Sequence, residues 1–245
     1  MMRNWETALK EHKQALLNNG FKEENILGIF CYGSQNYNLD TSTSDWDTKA
    51  IVVPSFKELI LKRPVTQEIK VNDEEHCEVK DIREMVNMFK KQNINFIEIL
   101  YTKYNWVNPF YMELWNEYFV SHREEIAHFD EQKTVLSITS QAIHTLEQGG
   151  IYNGKKVANG YRLYIFLQKY LARKSYEECI ALEGDIRNFL LELKRHNCVP
   201  DYHYTFLDAA FTDLREQDRM YTNNTSVEKI MEEGIIELMK LNVPK

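Results

Sequence analysis

The sequence predicts an α+β protein in which an α/β N-terminal half is followed by an all-α C-terminal half. Short apolar runs bounded by turn residues, at 26–32 and 50–53, occur in the first half. Helical stripes are interleaved with them there, and from about residue 130 onward only helical periodicity remains. The division predicted is residues 1–125 for the first domain and 126–245 for the helical one.

Residues 4–19 read as a helix, with Trp5, Ala8, Leu9, His12, Leu16 and Leu17 at helical spacing and Asn18-Asn19-Gly20 as its stop. The run 26–32 reads as a buried strand ending at Gly33-Ser34. A polar loop, 40–44, leads into a strand over 45–53 that Pro54 stops. A short helix is expected at 55–62, then strands around 68–71 and 76–80 joined at Asn72-Asp73. Ile82, Met85, Val86 and Phe89 mark 81–92 as helical, with Asp81 and Glu84 at capping-box spacing. A second helical segment covers 94–101 and a third follows Pro109. The C-terminal helices are expected at 131–148, 155–173, 175–196, 203–220 and 226–241. Their breaks fall at Gly149-Gly150, Lys174-Ser175, 197–201 and Asn223-Asn224.

Composition narrows the function classes. With 43% hydrophobic and 27% charged residues, the chain has a globular balance. Lys and Arg number 30 against 37 Asp and Glu, a net charge of -7, which argues against a general nucleic-acid coat while leaving room for a local basic site. No apolar run approaches the roughly 18 residues of a membrane span, so no membrane partner is expected. The polar N-terminus has no apolar core of a signal peptide, and Cys31, Cys77, Cys179 and Cys198 are scattered, as suits a reducing cytoplasm. P-loop, dinucleotide-fingerprint, HExxH and GxSxG patterns are absent.

The chemistry concentrates at Tyr32-Gly33-Ser34 and, after the loop 35–44, at Asp45-Trp46-Asp47. On a strand Asp45 and Asp47 point the same way, about 6–7 Å apart. Two carboxylates so placed repel, and a divalent cation between them removes that cost. Oxygen donors with little nitrogen or sulfur favour Mg²⁺ or Mn²⁺ over Zn²⁺. The glycine allows close approach of backbone to ligand, and a turn with free N–H groups and the Ser34 hydroxyl suits phosphate oxygens. A phosphate cradle beside a carboxylate pair is the layout of metal-assisted phosphoryl or nucleotidyl transfer. His76, Glu78 and Lys80 share one strand face and Cys77 and Val79 the other, which makes Glu78 the candidate third acid. Asp81 is its rival, with helix capping as its alternative reason. Lys49 continues the face of the two aspartates, either toward phosphate or in a structural pair.

At these residues the sequence resembles the DNA polymerase β-like nucleotidyltransferase superfamily, marked by Gly-Ser, then Asp-x-Asp, then a third acid. The wider pattern is similar to the RNA-repair-associated polymerase β family, through "YGSQNYNLDTSTSDWDTKAIVV" at 32–53, "EVKDIREMVNMFKKQNINFIEILYT" at 78–102 and a weaker "KKVANGYRL" at 155–163. Asn38 stands where many relatives have glycine. The resemblance implies a small mixed sheet with helices as a nucleotidyltransferase core, closed by an all-α C-terminal domain. It implies Mg²⁺-dependent transfer of a nucleoside monophosphate from an NTP to a hydroxyl, releasing pyrophosphate. Asp45, Asp47 and Glu78 would be the catalytic and metal-binding residues. Gly33 and Ser34, with Lys156 and Arg162 from the helical half, would bind the nucleotide. The acceptor is an RNA end, a protein side chain or a small molecule. The rival readings are a non-catalytic, antitoxin-like binding module of the same fold and a two-metal phosphodiesterase.

Overall fold

The computed structural model describes residues 4–42, 44–147, 153–217 and 224–242. Five strands form one mixed sheet: β1 (Ile26–Cys31), β2 (Thr48–Val52), β3 (Gln67–Lys70), β4 (His76–Asp81) and β5 (Asn105–Val107), in the order β3-β4-β2-β1-β5. β1 runs antiparallel to β2 and to β5, β2 parallel to β4, and β3 antiparallel to β4. β1 and β2 are buried throughout, which is why they read as unbroken apolar runs rather than alternating ones. β4 alternates half-buried and buried residues, as its sequence foretells.

One sheet face carries Ile26, Ile29, Ala50, Val52, Cys77 and Val79 against Leu16 of helix α1 (Trp5–Asn18). The other face carries Leu27, Phe30, Ile51 and Val53 into a much larger cluster. That cluster takes in α3 (Met85–Lys90) and continues through both halves of the chain to Leu238. Before α3 lies the capped helix α2 (Phe56–Ile60), held by a Ser55–Glu58 capping box. After it come α4 (Ile94–Ile97), α5 (Met112–Trp115) and α6 (Arg123–Ala127). The C-terminal helices are α7 (Glu131–Glu147), α8 (Gly154–Leu171), α9 (Tyr176–Ile180), α10 (Gly184–Arg195), α11 (Asp201–Glu216) and α12 (Thr225–Lys240). Among the described residues no helix is long and apolar enough to cross a membrane.

Several expectations need correction. The strand expected over 45–53 covers only Thr48–Val52, the Trp46 N–H being taken by the Glu75 side chain (3.1 Å) instead of a neighbouring strand, so Asp45 and Asp47 precede the strand and its alternation does not set their common direction. The helix expected over 175–196 is two helices, α9 and α10, separated at 181–183, and Gly184 opens the second with φ +56. Segment 81–92 opens as a 3-10 turn, Ile82–Glu84, and its capping box is incomplete. Asp81 accepts the Arg83 N–H as a cap should (2.9 Å), but Glu84 accepts from Thr66 Oγ1 instead (3.1 Å). The helix after Pro109 is interrupted by a π turn, Asn116–Val120. β5 has no counterpart in the sequence reading. The expected break at Gly149-Gly150, residue 223 of the last break, and the ends of helices expected at 148, 218–220 lie outside the described residues.

Candidate active site

The site forms where β1 ends and β2 begins, at one end of two neighbouring strands. β1 gives way at Gly33, whose φ +88 and ψ −146 lie in a region open essentially to glycine alone. A short 3-10 turn, Ser34–Tyr37, follows, and Asn38 closes it in the left-handed conformation (φ 56, ψ 29). Asparagine tolerates that conformation better than most residues with a side chain. The Leu39 N–H then returns to Ser34 O (3.1 Å). The leading N–H groups of such a turn have no acceptor within it. Gly33 and Ser34 are half-exposed.

The Tyr32 N–H donates to Asp47 O (3.1 Å), which sets the turn beside the aspartates. The Asp47 side chain accepts the His76 N–H (3.1 Å). Burial raises the Asp47 carboxyl above its ordinary range, the His76 N–H opposes this, and the charge of Asp45 adds to the rise. Between the two aspartates, Trp46 is a buried anchor. Its ring packs against Trp5 (5.6 Å between centroids) and edge-on to Tyr104 (5.1 Å). Glu75, which takes the Trp46 N–H, is itself held by Asn72 Nδ2 (2.9 Å) and faces His12 Nε2 (3.5 Å). His12 is fully buried and its Nδ1 shares a hydrogen bond with Thr48 Oγ1 (2.8 Å).

The parallel register pairs Lys49 with Glu78, so these two side chains share a sheet face. Its carboxylate accepts the Tyr32 hydroxyl (2.9 Å) and pairs with Lys49 (3.0 Å) and Lys80 (3.1 Å). Lys49 also sits 3.7 Å above the Tyr32 ring. Burial works to raise the Glu78 carboxyl, but the two lysines and the tyrosine outweigh it and hold it below its ordinary range. Lys49 is 4% exposed, and burial lowers its proton affinity against the pull of Glu78. Asp81 is turned to Arg83 and the helix start, away from this cluster's chemistry.

Asp45 and Asp47 are the oxygen donors a divalent cation would use here: the charge of Asp45 adds to the rise of the Asp47 carboxyl, and such an ion would relieve that repulsion. Glu78 is engaged by lysines, and among the described residues no three His, Cys, Asp or Glu side chains group as a metal-holding set.

The helical half reaches the turn through several side chains. The Arg162 guanidinium lies 4.0 Å over the Tyr37 ring and is 6% exposed. Arg187 Nε donates to Asn38 O (2.7 Å) and Lys194 Nζ to Leu39 O (2.5 Å). Lys156 lies in the first turn of α8, where Asn153 accepts its N–H (3.3 Å). At about 100° per residue it stands some 120° around the helix from Arg162, while Lys155 shares the Arg162 side.

Two carboxylates essential to this geometry carry no mark in the sequence reading, Glu75 and Glu98. Glu98 is fully buried beneath the turn, where it accepts the Gly33 N–H (3.3 Å) and Asn36 Nδ2 (3.1 Å). The available signal was a lone charge inside the apolar stretch Phe96-Ile97-Glu98-Ile99-Leu100. The chain matches no protein-family model and no curated protein.

Proposed function

We propose that the protein is a Mg²⁺-dependent nucleotidyltransferase that moves a nucleoside monophosphate from an NTP to a hydroxyl acceptor, an RNA end, a protein side chain or a small molecule. The observation that carries this reading is the juxtaposition of the glycine turn at 33–37 with the Asp45–Asp47 pair, locked in register by the Tyr32 N–H to Asp47 O bond. Ser34 and the leading N–H groups of the turn would receive the triphosphate. Asp45 and Asp47 would hold the cation, which when bound supplies charge neutralisation for the attacking and leaving oxygens. Glu78, with its proton affinity held down by Lys49 and Lys80, suits charge placement better than proton abstraction. Lys49, buried between Tyr32 and Glu78, fixes that carboxylate beside Tyr32.

The pairing of Glu78 with two lysines favours one second reading, a binding module that keeps the fold without the chemistry. The experiment that separates them supplies Mg²⁺ and each NTP labelled at the α-phosphate, with total RNA and protein as acceptors. The expected outcome is label transferred to one acceptor class, falling by at least about a thousandfold in the Asp45→Asn, Asp47→Asn double variant, as befits loss of the groups that hold the charge. Absence of both transfer and nucleotide binding in the wild type would leave the binding module standing.

A further inference from the structure

The 33–37 turn is held from below by a charge that the proposed chemistry does not use. Glu98 opens the 3-10 turn Glu98–Leu100 directly after α4 and has no exposed surface. One carboxylate oxygen takes the Gly33 N–H and the other takes Asn36 Nδ2. Asn36 in turn donates to Cys31 O (3.0 Å) and accepts the Thr102 hydroxyl (2.7 Å). One carboxylate therefore ties together the end of β1, the glycine and the body of the turn. An ion in this position costs a great deal to bury unless its surroundings answer it. Burial does raise the Glu98 carboxyl, and Tyr37, Arg162 and Asn36 act against that rise. Arg162, nearly as deeply buried, covers the Tyr37 ring and donates through Nε and Nη2 to Asn159 Oδ1 (3.0 and 2.8 Å) on its own helix, while its Nη1 is buried without a hydrogen-bond partner. The two buried charges thus sit on either side of Tyr37, one in the sheet half and one in the helical half.

We infer that Glu98 is a positioning residue of the nucleotide site, fixing the backbone of the 33–37 turn from beneath and coupling it across Tyr37 to Arg162 of α8. This rests on the reading of that turn as the triphosphate-binding element. Glutamine cannot replace the carboxylate here: its amide has one accepting oxygen, and its NH₂ group would face either the Gly33 N–H or the Asn36 amide.

The test uses two readouts on the full chain, hydrogen exchange of the 31–39 segment and Mg²⁺-dependent binding of a non-hydrolysable ATP analogue. In Glu98→Gln, exchange over 31–39 should rise while exchange over β2 stays unchanged. Affinity for the analogue should fall by at least about tenfold, the loss of one charge-assisted hydrogen bond. Glu98→Asp, which retains the charge at shorter reach, should recover part of that loss. Should Glu98→Gln not fold, Arg162→Lys, which takes the planar guanidinium off the Tyr37 ring, carries the same expectation in milder form. Unchanged exchange over 31–39, or an affinity within twofold of wild type, overturns the inference. A wild-type protein that binds no nucleotide overturns the proposed function instead, and the exchange of 31–39 then decides alone whether Glu98 positions the turn.

Discussion

The two arms of the site are built on the same device and anchored in different places. Each has a buried glutamate that captures a backbone N–H, Glu75 taking Trp46 and Glu98 taking Gly33. The aspartate arm draws its remaining support from the first half of the chain, through His12, Asn72, Trp5 and Tyr104. The turn arm draws on the helical half, through Arg162, Arg187 and Lys194. The difference teaches that the helices do not merely pack beside a finished candidate site. They hold one arm of it, so disturbance in α8 or α10 should reach the turn and leave the aspartates alone.

The largest effect that would break or sharpen this contrast is at Gly154. A Cβ there would lie 2.1 Å from Leu193 O and 2.4 Å from His196 O, both backbone atoms at the end of α10. Backbone cannot rotate out of the way, so α8 and α10 must move apart. Gly154→Ala should destabilise the protein by about 3 kcal/mol or more in a urea titration. In the fraction that remains folded, exchange over 33–39 should rise, because Lys194 on α10 and Arg162 on α8 no longer meet the loop together. The Mg²⁺ binding proposed at the aspartates, followed by tryptophan fluorescence, should persist. Loss of both arms together would show that the site is a single unit and sink the comparison.

A smaller effect is expected at Gly33, where the argument is conformational and not steric. Nothing lies within 4 Å of an added Cβ, yet φ is +88. Gly33→Ala should therefore cost about 1–3 kcal/mol of backbone strain, and nucleotide analogue binding should weaken as the turn relaxes to a different path. A stability equal to wild type in thermal melts would mean that the turn has a second conformation of nearly equal energy, and the Glu98 anchor would then be too weak to matter.

Why the sequence yielded one part of the site and not the other follows from where each signal resides. Gly33, Ser34, Asp45 and Asp47 are legible because the local chain dictates them: a glycine after an apolar run, and acids before the next one. Glu78 is legible because strand alternation assigns it a face, and the parallel register with Lys49 bears that face out. Glu75, Glu98 and His12 are not legible because what they do depends on partners far along the chain. The Glu98 contact to Gly33 spans 65 residues and the Trp46 contact to Glu75 spans 29. The same reason hides β5, which is three residues long and is held by antiparallel pairing with β1, far back in the chain. It also hides the break before α10, since the stripe through 175–196 continues across a glycine whose conformation only the packed structure reveals.

The smallest effect bears on the aspartate arm and concerns pH. The Asp47 carboxyl is raised in the folded protein, first by burial and then by the charge of Asp45, against the help of the His76 N–H. Between the ordinary aspartate range and that raised value, the folded protein keeps a proton that the unfolded chain has released. The unfolded state then binds fewer protons, so stability falls as pH rises through this window. That is opposite in sign to the usual salt-bridged carboxylate, whose contribution grows with pH. Asp45→Asn removes one source of the rise, so the window should narrow and stability at neutral pH should increase by about 0.5 kcal/mol, the scale of a partly exposed charge interaction. Urea titrations of both proteins from about pH 4 to 7 would check the sign. An Asp45→Asn protein that is less stable than wild type at neutral pH would mean that the two aspartates do not repel one another. The case for a cation between them would fail with it, while the anchoring of the turn by Glu98 would be untouched.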